Sequence, residues 1–211
     1  MLPDPYTAYP MKPSKQSRGA SLAALAAAAA LLLSVGVVAC GSGDDAGNPD
    51  SRLTPEEATE PLADAPPQLA AIREQANQLL DGGTEAFQQR LEELRGFPVV
   101  VNKWASWCGP CRFEFPWFQS LAEKRGGEIA FLGDAGDDSE DALSTFLEEL
   151  PLPYPSYLDP DLRIAQELGG PVRAFPATAF YDRSGELVYT HPGVYRDEQE
   201  LIADVNRYAG G

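Results

Sequence analysis

Two spacings of apolar residues alternate along most of the chain. After Pro66-Pro67, the residues Leu69, Ile72, Ala76, Leu79 and Leu80 fall on one side of a helix, and Asp81-Gly82-Gly83 ends the run. Thr84 is placed to cap a second helix, with Phe87, Leu91 and Leu94 turned inward and Gly96 as its stop. Val99–Trp104 reads as a short buried strand and Gly109–Lys124 as a helix followed by Gly126-Gly127. Ile129–Leu132 is a strand, Ser139–Leu150 a helix capped by Ser139 or Asp138, and Pro155–Leu158 a short strand. Asp161–Leu168 is a helix closed by Gly169-Gly170. Ala177–Tyr181 and Glu186–Thr190 flank the turn Asp182-Arg183-Ser184-Gly185 as a hairpin, and Glu198–Tyr208 is a final helix. Two helices come first, strands and helices then alternate, and a hairpin and a helix close the order. That order predicts an α/β fold: a central mixed sheet flanked by helices on both faces, with extra helices at its N-terminal side.

The N-terminal pattern is different. Lys12, Lys15 and Arg18 precede an almost wholly apolar stretch, Gly19–Ala39, which Val37-Val38-Ala39-Cys40 ends. This resembles a bacterial lipoprotein signal, which implies cleavage before Cys40 and diacylglycerol on its thiol. About 20 apolar residues can also span a bilayer, so an uncleaved anchor is the competing reading. The abrupt change into Gly41-Ser42-Gly43-Asp44-Asp45 favours processing. Either way the basic flank stays inside and the remainder lies outside the cytoplasm. Residues 1–39 are thus expected to be a signal peptide and 67–211 the folded domain. Between them, residues 40–66 are expected to be a lipidated cysteine and an acidic, disordered tether, because Gly41–Ala65 holds many acids against Arg52 alone; an ordered extension docked on the domain is the competing reading.

The net charge of −16, from 16 basic and 32 acidic residues, argues against nucleic acid, since no basic patch could neutralise phosphates. Removing the signal takes away Lys12, Lys15, Arg18 and Asp4, so the remainder is more acidic still. Such a body is repelled by an anionic membrane, and attachment falls to the lipid.

The chemistry concentrates in Trp107-Cys108-Gly109-Pro110-Cys111, between a strand and a helix. Two thiols two residues apart at a helix start can pass between dithiol and disulfide with little backbone movement. Unpaired N–H groups and the positive end of the helix stabilise a thiolate on Cys108, which makes it a nucleophile near neutral pH. Cys111, one turn on, can attack the resulting mixed disulfide. The rival reading is half a zinc site, but zinc needs four ligands, and only Cys40 and His191 are left to supply them. With Cys40 assigned to lipid, no structural disulfide remains, and no metal or cofactor is expected.

At these residues the chain resembles the thioredoxin superfamily. The resemblance rests on Val99–Cys111, on Phe175-Pro176-Ala177-Thr178, and on the terminal hairpin and helix, and covers about residues 84–211. More specifically the chain is similar to the extracytoplasmic TlpA/ResA branch, whose inserted helix and strand correspond to Ser139–Leu158. It departs from that branch at the N-terminal side, where two helices stand in place of a β-hairpin. The resemblance implies that Cys108 is the nucleophile, that Cys111 is the resolving thiol, and that Gly109 and Pro110 set the redox poise. It further implies that Trp107 lies beside the site and that Pro176 is a cis-proline whose neighbour Phe175 presents backbone to an extended substrate. Pro116 falls where the superfamily's active-site helix is kinked; the alternative is that the helix ends at Phe115.

Glu114 stands three residues after Cys111, where the branch carries a glutamate. Asn102 occupies the place of the buried aspartate of cytoplasmic thioredoxins and cannot take a proton. A carboxylate near a thiol raises the thiol pKa and can accept its proton; the competing reading is a solvated helix-face glutamate. Lys103 replaces the usual aromatic residue in the strand and must either pair with an acid or snorkel at the sheet edge. His191 reads as a surface turn residue.

The function implied is that of a membrane-anchored thiol–disulfide oxidoreductase. It would reduce disulfides of extracytoplasmic proteins, with cytochrome c maturation a known task of the branch. Its partners would be those proteins and a transmembrane thiol electron donor. Two other activities share the fold. A Sco-type copper chaperone expects C-x-x-x-C and a distal histidine, although thiolates alone bind Cu(I). A peroxiredoxin-type peroxidase expects Thr or Ser where Ala105 stands.

Overall fold

The computed structural model describes residues 53–210. In chain order its elements are α1 (Pro55–Ala58), α2 (Pro67–Glu74), β1 (Leu79–Leu80), α3 (Gly83–Glu93), β2 (Val99–Trp104) and α4 (Gly109–Arg125). They continue with β3 (Ala130–Gly136), α5 (Glu140–Glu149), β4 (Ser156–Asp159), α6 (Arg163–Glu167), β5 (Ala177–Tyr181), β6 (Leu187–Pro192) and α7 (Glu198–Tyr208). The strands form one sheet in the order β1-β4-β3-β2-β5-β6. The pairs β1–β4, β4–β3 and β3–β2 are parallel, whereas β2–β5 and β5–β6 are antiparallel. The sheet is therefore mixed, as the element order predicts.

All six residues of β2 are buried, because helices cover both faces of the strand. Trp104 points to one face. Its indole stacks on Phe146 of α5, meets the edge of Phe115 of α4 and donates to Ser156 Oγ at 3.1 Å. On the other face Phe87 of α3 packs edge-on against Tyr157 and Tyr181. Helix α4 runs on through Pro116, so the reading that it ends at Phe115 does not hold. Ser139 caps α5: its side chain accepts from the Ala142 N–H.

Three local readings are corrected. Leu79 and Leu80 do not extend a helix. That helix stops at Glu74, and the two leucines form a parallel edge strand opposite Ser156 and Tyr157. Thr84 does not cap α3, because Gly82, with φ 101°, takes the N-cap position. The acidic segment expected to be a tether is, over residues 54–65, part of the fold. Thr54 and Glu57 form a reciprocal capping box on α1. Ala58 is fully buried, and its carbonyl accepts from the buried Arg73 guanidinium at 2.9 Å. Arg73 also pairs with Glu123 of α4, which ties α1, α2 and α4 together. Residues 1–39, Cys40 and the first part of the tether lie outside the described residues. Among the described residues no helix is long and apolar enough to cross a membrane.

Gly133 of β3 is tightly packed on the Trp104 face. A Cβ there would run into the Ser156 side chain, 2.7 Å from its Cβ and 3.0 Å from the Trp104 indole nitrogen. Both neighbours are buried and hydrogen-bonded to each other, so neither can yield cheaply. Gly133→Ala is expected to destabilise the domain by about 1–3 kcal/mol, as overpacking does. A lowered urea midpoint with an unchanged slope is the expected measurement.

Candidate active site

The C-terminal end of β2 leads through Ala105-Ser106-Trp107 to Cys108, which is the N-cap of α4. Cys108 and Cys111 form a disulfide with Cα atoms 5.3 Å apart. Cys108 Sγ accepts from the Cys111 N–H at 3.1 Å, so a sulfur occupies the position where a capping oxygen would normally sit. Gly109 and Pro110 fill the first turn, where proline's missing N–H costs nothing. Both sulfur-bearing residues are almost wholly buried.

The turn before Cys108 is held by Asp138, which follows β3. One carboxylate oxygen accepts from both the Ser106 N–H and the Ser106 hydroxyl. Trp107 is 56% exposed, yet its ring is fixed. The indole N–H donates to Asp137 O at 3.0 Å, and the ring meets the edge of Phe175 with centroids 5.2 Å apart. The peptide bond between Phe175 and Pro176 is cis, and Pro176 O accepts from the Gly193 N–H. Trp107 and Phe175, some 70 residues apart in sequence, thus stand side by side next to the cysteines. Phe113, two residues after Cys111, is 59% exposed and packs against Trp117.

Glu114 is buried and does not face solvent. One of its oxygens accepts from the Tyr195 N–H. Burial pushes the carboxyl up to about 7, and the Tyr195 N–H pulls in the opposite direction. No neighbouring charge adds to this shift; the Glu114 charge in turn bears on the Tyr154 hydroxyl, which accepts from the Asn102 amide at 3.3 Å. A carboxyl poised near neutrality therefore lies one turn along α4 from Cys111.

Tyr195 had no local sequence signal, because the contact joins residues on α4 and on the loop before α7. The same is true of His191, which is not a surface turn residue. It lies on β6 opposite Thr178, with its ring stacked on Tyr195 at 3.9 Å and its Nδ1 3.3 Å from Asp204 Oδ2. Asp204 also accepts from the Tyr195 hydroxyl. Asp138 was legible only as an optional helix cap; its bonds to Ser106 are long-range. Lys103 is buried in β2 and not at a sheet edge. Its ammonium donates to Val172 O at 2.7 Å and Pro171 O at 3.3 Å. Cys40 lies outside the described residues. Among the described residues no cluster of three or more His, Cys, Asp or Glu side chains could hold a metal.

The raised Glu114 pKa links ionisation to stability. The folded state holds this proton up to about pH 7, whereas an unfolded chain releases it near 4.5. Stability therefore falls as pH rises through that window, by on the order of 3 kcal/mol in total. Glu114→Gln removes the ionisation and keeps an oxygen for the Tyr195 N–H. With the disulfide intact, the mutant is expected to gain on the wild type between pH 5 and pH 8 in urea titrations. Parallel pH profiles for the two proteins would show that Glu114 ionises freely.

The Redoxin family profile matches residues 64–207. The chain is 28% identical to the thiol-disulfide oxidoreductase ResA of Halalkalibacterium halodurans over 126 residues, 59% of this chain and 70% of that one. It is 38% identical to the thiol:disulfide interchange protein DsbE of Pseudomonas fluorescens biotype C over 112 residues, 50% of this chain and 60% of that one. Among solved structures, a DsbE protein of Chlorobium tepidum superposes with a TM-score of 0.51 at 27% identity, covering 57% of this chain and 85% of the other. The structure of MTB dsbF, in mixed oxidized and reduced forms, gives 0.50 at 30% identity, covering 56% and 84%. The matched profile takes in the disulfide, the buried glutamate and the cis-proline loop together, and the chain belongs to the Redoxin family as a ResA-like oxidoreductase of the thioredoxin superfamily.

Proposed function

We propose that the protein reduces disulfides of extracytoplasmic proteins through Cys108 and Cys111. The observation that carries this reading is a Cys-Gly-Pro-Cys disulfide at a helix N-terminus, with a buried carboxyl titrating near 7 on the same helix. In the reduced protein the Cys108 thiolate attacks one sulfur of a substrate disulfide. A mixed disulfide forms and one substrate thiolate leaves. Cys111 passes its proton to the Glu114 carboxylate, and its thiolate attacks Cys108 Sγ. The second substrate thiolate then leaves, and the protein is left as the disulfide. Two electrons have moved from protein to substrate, and the released thiolates take up protons. A carboxyl with a pKa near ambient pH suits this role, because it can both accept and return a proton.

Trp107 and Phe175 supply an apolar wall beside the sulfurs, and the backbone at Phe175–Pro176 supports an extended segment of substrate. Gly109 and Pro110 tune the potential of the pair. Return to the dithiol requires a transmembrane thiol donor. Cytochrome c maturation, which needs reduced haem-binding thiols, is the task that fits a reductase of this kind. The domain is held at the outer face of the cell membrane by lipid on Cys40, after removal of residues 1–39. A copper-carrying role on the same fold is the reading this one competes with; Cu(I) titration of the reduced protein separates them, since a reductase turns over without metal.

Cys111→Ser is expected to accumulate mixed disulfides on Cys108, and Cys108→Ser to trap none and to lose turnover. Glu114→Gln is expected to shift the thiol titration to lower pH by removing a nearby negative charge. It should also slow disulfide reduction at pH 7 about tenfold or more, since it abolishes a proton acceptor. Iodoacetamide labelling against pH and insulin reduction measure the two effects; equal labelling of both thiols with no trapped partner contradicts the assignment. Cys40→Ser is expected to leave an unprocessed precursor, read by mass spectrometry of the N-terminus.

A further inference from the structure

Lys103 is a charged side chain in the middle of a buried strand, and its relative exposure is only 1%. Removing an ammonium from water is costly, and buried lysines are ordinarily matched by a carboxylate in direct contact. Here the two hydrogen bonds of the ammonium go elsewhere, to the carbonyls of Val172 and Pro171, and its charge sits 4.6 Å from the centroid of the Phe175 ring. All three partners belong to the loop that carries the cis peptide bond. The carboxyls of Asp134, its register partner on β3, and of Asp159 face it at longer range. They favour the charged ammonium, against the burial that disfavours it.

Beyond Lys103, the loop meets exposed side chains: the Phe175 ring packs on Trp107, and Arg173 lies 3.9 Å from Asp137. Residues 171–176 belong to no helix or strand. Their other main-chain hydrogen bonds are Ala174 N–H to Pro171 O, within the loop, and Gly193 N–H to Pro176 O, at its far end. The tip of the Phe175 ring nests over Gly136, where a Cβ would come within 3.3 Å of it. Lys103 thus joins the central strand to the first half of the loop. The same strand runs directly into Cys108, five residues on.

We propose that Lys103 is a positioning residue for protein substrates: it pins the Pro171–Phe175 loop to β2 and so fixes the substrate-binding backbone at Phe175–Pro176 relative to Cys108. One strand then sets both halves of the site, the nucleophile through its C-terminal end and the substrate cradle through this side chain. The inference rests on the thiol–disulfide reading above. It assigns Lys103 to substrate affinity and leaves the sulfur chemistry to α4. A small aromatic disulfide reaches Cys108 without needing the loop; an extended polypeptide does not.

The test is Lys103→Met, which keeps the apolar stem and removes the ammonium. It is paired with Lys103→Met/Asp134→Asn, which also replaces the buried carboxyl on the neighbouring strand by an amide of the same shape. Circular dichroism serves as the fold control. Expected in the double variant is a KM for an unfolded, disulfide-containing protein raised about tenfold, the factor corresponding to ~1.4 kcal/mol and reasonable for losing a hydrogen bond from a charged group. Expected to stay within about twofold of wild type are kcat, the rate of Cys108 alkylation and the reduction of dithionitrobenzoate. Amide hydrogen exchange should quicken at residues 172–177 and not along α4. Unchanged KM for the protein substrate, or equal losses toward protein and small disulfides, overturns the proposal. A wild type that reduces neither disulfide sinks the functional reading itself, and the exchange pattern of the loop still decides whether Lys103 holds it.

Discussion

Burial of β2 on both faces constrains everything built around it. A strand covered on one side by α4 and α5 and on the other by α3 has no exposed position, so every polar group it carries must find a partner inside the protein. Each of the three polar or partly polar side chains does so far along the chain, at least 50 residues away. The Trp104 indole reaches Ser156, the Asn102 amide reaches Tyr154, and the Lys103 ammonium reaches Val172. These three bonds connect the strand to β4, to the segment before β4 and to the loop before β5. The cysteine pair hangs from the end of this fixed strand, which is why its surroundings are so fully specified.

The site combines rigid and accessible parts. Asp138 fixes the turn at Ser106, and Asp137 holds the exposed Trp107 by its indole N–H. The disulfide itself is screened by its neighbours, whereas the aromatic faces beside it are open. Behind it Glu114 is enclosed, and that enclosure, not any nearby charge, raises its pKa. A carboxyl held near neutrality by burial can both take up and return a proton, which is what the role proposed for Glu114 asks of it.

Elements whose signal is local were legible in the sequence. Val99–Trp104, Ala177–Tyr181 and Glu198–Tyr208 match the observed bounds, because each is a complete apolar pattern between clear stops. Leu79-Leu80 misled, since a pair of leucines at helical spacing becomes a strand only when Ser156 and Tyr157 offer an edge some 75 residues away. Thr84 misled because the unusual φ of Gly82 is not visible in a residue name alone. At the candidate site, motif and resemblance name Cys108, Cys111, Glu114, Trp107, Phe175 and Pro176 from the sequence. What motif could not reveal was the support: Tyr195 behind Glu114, Asp138 behind Ser106, the loop carbonyls behind Lys103. Each of these joins residues far apart in the chain, and no local pattern encodes such a meeting.

The docked segment before α2 moves the working boundary of the domain. Arg73 is buried with its guanidinium shared between Glu123 and the Ala58 carbonyl, and Leu62 lies against Gly126 at the end of α4. A chain cut at Pro67 would strip one acceptor from a charge that water cannot easily reach and would uncover the apolar end of the active-site helix. The contacts of the folded domain therefore reach back at least as far as Thr54 and Ala58, a dozen residues before Pro67, and a protease that nicks this segment would loosen α4 from the end opposite its cysteines.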